Sequence, residues 1–136
     1  MGLQALRAGL SARLATISGL VAHDSLPTTV RPPCVVVTIT GGDYDMTMAD
    51  GGALMRFEVV LIGSQVATPY DVAYDAVDAY LAPTGALSVK AAVEADVTLG
   101  GTAHTSRVTG FSDYGTMVIA GIEYLGARMT VEAWPV

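Results

Sequence analysis

Leu3, Leu6, Leu10, Leu14, Ile17 and Val21 recur at spacings of three and four, the repeat that lines apolar side chains along one face of an α-helix. Gln4, Arg7, Ser11 and Arg13 fall on the other faces, so residues 3–21 are predicted to form an amphipathic helix. Gly19 frays its end and His23 closes it. Pro27, Pro32 and Pro33 mark residues 24–33 as a connector, because proline cannot continue a helix and biases its predecessor towards extended backbone.

The period then changes. Residues 34–40 read as a strand, with β-branched Val35, Val36, Val37 and Ile39. Gly41-Gly42 marks a bulge. Tyr44, Met46 and Met48 alternate with Asp43, Asp45 and Thr47, and Asp50-Gly51 is a hairpin turn signal. On the return strand, 53–62, Ala53, Met55, Phe57, Val59 and Leu61 share one side, with Arg56 and Glu58 on the other. This pattern predicts one long hairpin whose tip extends beyond the core.

Thr68, Pro69 and Asp71 form a helix start: a cap, a proline suited to the first turn, and an acid at the positive end. The helix runs to Leu81, with Ala73, Ala76, Val77, Tyr80 and Leu81 inward and Asp71, Asp75 and Asp78 outward. Pro83 and Gly85 end it. Ser88 caps a shorter helix, with Val89, Ala92 and Val93 inward, that runs to about Asp96 before Gly100-Gly101. Residues 104–114 read as a strand, with the turn near Gly115. Residues 117–134 form a final strand, with Gly121 and Gly126 as bends or bulges. There Leu125, Ala127, Met129, Val131 and Ala133 alternate with Arg128, Thr130 and Glu132. The predicted class is α+β: one domain, 1–136, with an antiparallel or mixed sheet and a long hairpin, packed against an N-terminal helix and two central helices.

Composition sharpens this. The chain is 51% hydrophobic and 15% charged, against about 25% charged in an ordinary soluble domain. So much apolar surface predicts contact with other protein. The net charge is −6. The basic residues Arg7, Arg13, Arg31, Arg56, Lys90, Arg107 and Arg128 are scattered, without the cluster that grips nucleic acid. An acidic protein can still surround a duplex and hold it off its walls. Cys34 has no cysteine partner. No apolar run reaches the ~20 residues of a membrane span. Arg7 and Arg13 break any secretory-signal pattern.

Candidate chemistry is thin. His23 and His104 lack the companions of a zinc site. Asp43, Asp45 and Asp50 fall short of a calcium loop, because Thr47 stands at the third ligand position. Asp71, Asp75 and Asp78 read as a solvated helix face. Residues 110–115 approach a nucleophile elbow around Ser112, but Tyr114 replaces the second glycine and strand leads into strand. No phosphate-binding loop or dinucleotide fingerprint occurs. The expectation is a protein without catalytic residues, cofactor or metal. Two features point to assembly. Tyr44, Met46 and Met48, with Asp50 beside the turn, either cover the chain's own core or meet a neighbouring copy. The C-terminal strand, ending in Trp134, is either a sheet edge open to a neighbour or a paired central strand.

The order of elements resembles the tail terminator proteins of long-tailed bacteriophages, also called tail completion or head–tail joining proteins. The resemblance spans nearly the whole chain. It is carried by the Leu26-Pro27 to Pro32-Pro33-Cys34-Val35-Val36-Val37 connector and strand, the hairpin over 44–62, and Tyr80-Leu81-Ala82-Pro83-Thr84-Gly85. Ser88, Gly100-Gly101 and Tyr124-Leu125-Gly126-Ala127-Arg128-Met129-Thr130-Val131 complete it. It implies a virion structural protein at the head–tail junction, assembled in the host cytoplasm. Its copies would form a hexameric ring that caps the tail tube protein and meets a head-closure or connector protein. DNA would pass through the lumen without specific binding, and no membrane would be involved. Another neck component, such as a head-closure protein, or a small ligand-binding domain remain the alternatives.

Overall fold

The leucine repeat does form a helix, but a shorter one than its spacing predicts. In the computed structural model, which describes residues 3–23, 30–44, 53–65, 70–119 and 121–135, α1 spans Leu3–Leu14 with Leu6, Leu10 and Leu14 fully buried. The chain then turns. The Ile17 N–H donates to the Leu14 carbonyl and the Leu20 N–H to the Ile17 carbonyl. Gly19 takes a φ of 79°, a backbone that glycine alone adopts freely. Val21 and His23 therefore leave the helix. They belong to β1 (Val21–His23), which pairs in parallel with the start of β2 (Cys34–Asp43). Val21 continues the helical spacing by coincidence and is 51% exposed.

β2 pairs antiparallel with β3 (Leu54–Gln65), with Val35 opposite Leu61 and Ile39 opposite Phe57. The register shifts between Ile39 and Gly41, so Thr40 is the extra residue, one position before the predicted glycine bulge. Residues 45–52, including the predicted turn at Asp50, lie outside the described residues, as do Thr68 and Pro69. α2 spans Tyr70–Leu81 and buries Val77, Tyr80 and Leu81. α3 spans Val89–Glu94 and is capped by Ser88, whose Oγ accepts from the Ala91 N–H at 3.1 Å and donates to the Ala82 carbonyl.

Of the last two strands, β4 (Ala103–Ile119) is longer and β5 (Ile122–Pro135) shorter than expected. Ile119 faces Ile122, which closes the hairpin, and Gly121 just before Ile122 has a φ of 80°. The predicted turn near Gly115 is instead a bulge between Ser112 and Gly115, with Asp113 at a φ of 55°. Asp-Tyr-Gly has turn chemistry, and a bulge uses the same left-handed backbone.

The five-stranded sheet has the order β1-β2-β3-β5-β4, parallel at β1–β2 and antiparallel elsewhere. β5 is thus central, which corrects the edge reading of the C-terminal strand. Alternation identifies which side chains share a face but not which strand lies alongside. The edges are β1, with three residues, and β4, whose ladder shifts register at three places. All three helices cover one face. Val35, Val37, Phe57, Val59, Leu61, Leu125 and Val131 of the sheet join Leu6, Leu10, Val77 and Val93 of the helices in one core.

Glu94 ties α3 to β4 by accepting from the Val108 N–H at 3.1 Å. Partial burial raises its pKa, but the Lys90 ammonium, the Val108 N–H and the charge of Arg107 outweigh that and lower it below 4.5. A lowered carboxyl pKa contributes stability that is complete above its ordinary value and is lost as pH falls through the folded-state value. Protection of the Val108 amide from hydrogen exchange, relative to that of Val131, is therefore expected to fall as pH drops below the ordinary glutamate range. In Glu94→Gln that relative protection should not change with pH in this range. An unchanged profile in both proteins would show that Glu94 does not hold the junction.

Candidate functional site

The sheet face away from the helices divides into two halves. Towards the Asp43 end, opposed residues carry alternating charge. Arg56 faces Glu132, and Glu132 faces Arg107. Arg56 pairs with Asp43 at 2.6 Å and with Glu132 at 3.7 Å, while Arg107 reaches Glu132 at 3.5 Å. Beside this row, Arg128 joins Glu58 at 2.5 Å and Asp113 at 3.6 Å. Such solvated pairs contribute little each, about 0.2–1 kcal/mol. Their consequence is register and mutual neutralisation, since a one-residue slip would unpair these charges and turn them to the core face.

Towards the other end the face is apolar. Cys34, Val36, Ile62 and Tyr124 form a second buried cluster, against which Val30, Val60, Met117 and Ile119 pack. The last residues of the β4–β5 hairpin thus lean over the sheet. Between them and the strands lies an open cleft of about 380 Å³. Val36, Val60 and Ile62 are its floor and Val118 and Ile119 its wall, with Thr38 and Arg128 at its polar side. Val118 is 67% exposed. Burial pushes the Cys34 thiol up, against a backbone hydrogen bond with Arg31, so the sulfur stays protonated and serves as apolar filling.

The Ser112–Gly115 bulge aims two neighbours at opposite sides. Asp113 turns to Arg128. Tyr114 turns to α2, where its ring stacks on Tyr74 at 5.6 Å and its hydroxyl donates to Asp78 at 2.6 Å. Desolvation, the hydrogen bond to Asp78, and the electrostatics of Asp78, Tyr74 and Asp75 push the phenol up to about 12. Asp78 therefore does more than solvate a helix face: it holds the bulge to α2.

Among the residues proposed from sequence for assembly, Tyr44 stands 81% exposed at the far end of β2. Met46, Met48 and Asp50 lie outside the described residues. Asp43 is committed to Arg56. His23 and His104 lie on opposite edge strands, about 19 Å apart across the sheet and about 25 Å apart along it, since the registers put His23 level with Ser112. Ser112 sits within β4, about 25 Å along the strand from His104. The described residues contain no cluster of three or more metal-ligating side chains, and no described helix is long and apolar enough to cross a membrane.

The open-face cleft was not foreseen, yet its signal is in the chain. Val35-Val36-Val37 and Val59-Val60-Leu61-Ile62 are unbroken apolar runs, which mark strands covered on both faces.

No protein-family model matches the chain, and no curated protein matches it. The fold and the face define its class: an α+β sandwich, one face of its mixed sheet sealed by helices and the other half charged, half apolar.

Proposed function

We propose that this chain is a non-catalytic structural protein of a long-tailed phage virion. Its copies assemble into a ring, hexameric by its resemblance to tail terminators. The ring occupies the growing end of the tail tube, so no further tube subunit adds, and its other side meets a head-closure or connector protein. One observation carries the assembly part. An exposed aromatic and an open apolar cleft lie at opposite ends of one sheet, a layout that a lone subunit leaves uncovered. The element order supports the tail assignment. The mutual neutralisation of open-face charges and the separation of His23, His104 and Ser112 fit a protein that works by shape. The net charge of −6 suits a lumen through which DNA passes without adhering.

The test is to replace residues 44–53 by an Asn-Gly turn, which closes Asp43 to Leu54 as a two-residue hairpin and keeps the Asp43–Arg56 pair. The expected product is a folded monomer that no longer caps tails, seen by light scattering and by overlong tubes in infected cells. Rings and tails of normal length would sink the hairpin's role. Filled heads that leak DNA, with tubes of normal length, would indicate head closure instead.

A further inference from the structure

We propose that Tyr44 of one copy seats in the open-face cleft of the next, so that the ring closes by head-to-tail contacts along the sheet. This rests on the assembly part of the function proposed above and specifies where the hairpin lands. Tyr44 is the most exposed large hydrophobic residue among those described. The cleft offers what a tyrosine needs: an apolar floor of Val36, Val60 and Ile62 for the ring, and Thr38 and Arg128 for the hydroxyl. At about 380 Å³ it is large enough to take an aromatic side chain.

A subunit cannot fill its own cleft. Thr38 lies within β2 and Tyr44 just past its end at Asp43, about 20 Å further along the chain. Donor and acceptor are different surfaces, so the contact is heterologous, and a heterologous contact whose rotation closes generates a ring. Charge agrees. Residues 43–50 contain Asp45 and Asp50 besides the Arg56-paired Asp43 and no basic residue, whereas Arg31, which follows Val30 on the cluster beneath the cleft, has no ion-pair partner among the described residues; Arg128 at the cleft is already paired with Glu58 and Asp113. Edge-to-edge pairing is the poorer route, because β1 has only three residues and register shifts break the β4 ladder.

Copies carrying Tyr44→Cys are mixed with copies carrying Val118→Cys and oxidised. Both positions are exposed, and Cys34 is buried. The 44–118 dimer is expected in large excess over 44–44 and 118–118 dimers. The double variant is expected to give a ladder of covalent multimers. Tyr44→Ala should raise the concentration for half-assembly roughly 30-fold, the effect of a central interface aromatic, with its melting temperature unchanged. Three results would overturn the proposal: 44–44 dimers predominating, Tyr44→Ala assembling like the parent, or Val118→Asp losing tube binding while its rings form at parental concentration. Cross-linked rings that fail to cap tails would reject the tail function and uphold this contact. Capping by rings without the 44–118 link would do the reverse.

Discussion

Gly126→Ala is expected to cost about 3 kcal/mol of unfolding free energy, at the upper end for overpacking a core. A Cβ at this position would overlap the Leu61 carbonyl oxygen and reach the Leu61 carbonyl carbon at 3.0 Å and the Met117 Cε at 3.1 Å. The first two are backbone atoms of β3, which β2 holds on its other side. They cannot rotate aside as a side-chain end does, so β3 and β5 must separate where Ile62 faces Gly126. Gly110 is the control. It is an edge-strand glycine with nothing within 4 Å of its would-be Cβ and no positive φ. Gly110→Ala should change stability by less than about 1 kcal/mol, and in the stabilising direction through the unfolded chain. Urea unfolding decides it: the midpoint of Gly126→Ala falls at unchanged slope while that of Gly110→Ala does not. Coincident curves would show that the approach of the two strands at Gly126 is not tight. Met117 is also the residue that leans over the open face, so the same substitution should disturb the cleft.

Phe57→Ala is expected to lose about 3–5 kcal/mol, a large share of the 5–15 kcal/mol typical of a domain. Phe57 is the largest fully buried side chain described. It stands in the middle of the sheet, opposite Ile39 on β2 and Val131 on β5, inside the core that the helices close. Its removal leaves a cavity that two paired strands prevent from collapsing. Tyr44→Ala, on the same hairpin, should leave the urea midpoint where it was, because that ring touches solvent. The pair separates folding from assembly: one aromatic sustains the subunit, the other its contacts. A Phe57→Ala midpoint within about 1 kcal/mol of the parent would contradict the burial argument.

Much of the architecture was legible in the residues. Leu6, Leu10 and Leu14 of α1, the valine-rich run at 34–40, the β3 alternation, the Ser88 cap and Val77, Tyr80 and Leu81 of α2 each carry a local physical cause, and each occurs as read. Two expectations fail, and one alternative is decided, for one reason. The helix was extended to Val21 because helical spacing persists there, but a three-residue strand forms only when β2 lies alongside to pair with it. The turn was set at Gly115 because Asp113-Tyr114-Gly115 suits a turn, but the continuing β5 ladder converts it to a bulge. The C-terminal strand reads equally as an edge or as a paired central strand, because the two share one alternation, and the chain's path alone places β3 and β4 on its two sides.

The same division holds for the assembly surface. Taken alone, the order of residues determined that the chain is charge-poor, where β2, β3 and α3 begin, and that Tyr44 follows the β2 arm with two methionines near it in the chain. These follow from local preferences and from the periods of helix and strand. Only the tertiary structure decided that Val36, Val60, Ile62 and Val118 share one cleft, that Arg56, Glu132 and Arg107 neutralise one another, and that Tyr114 reaches Asp78. Those contacts join residues distant in the chain, and their partners are set by strand order and register, which no local pattern encodes.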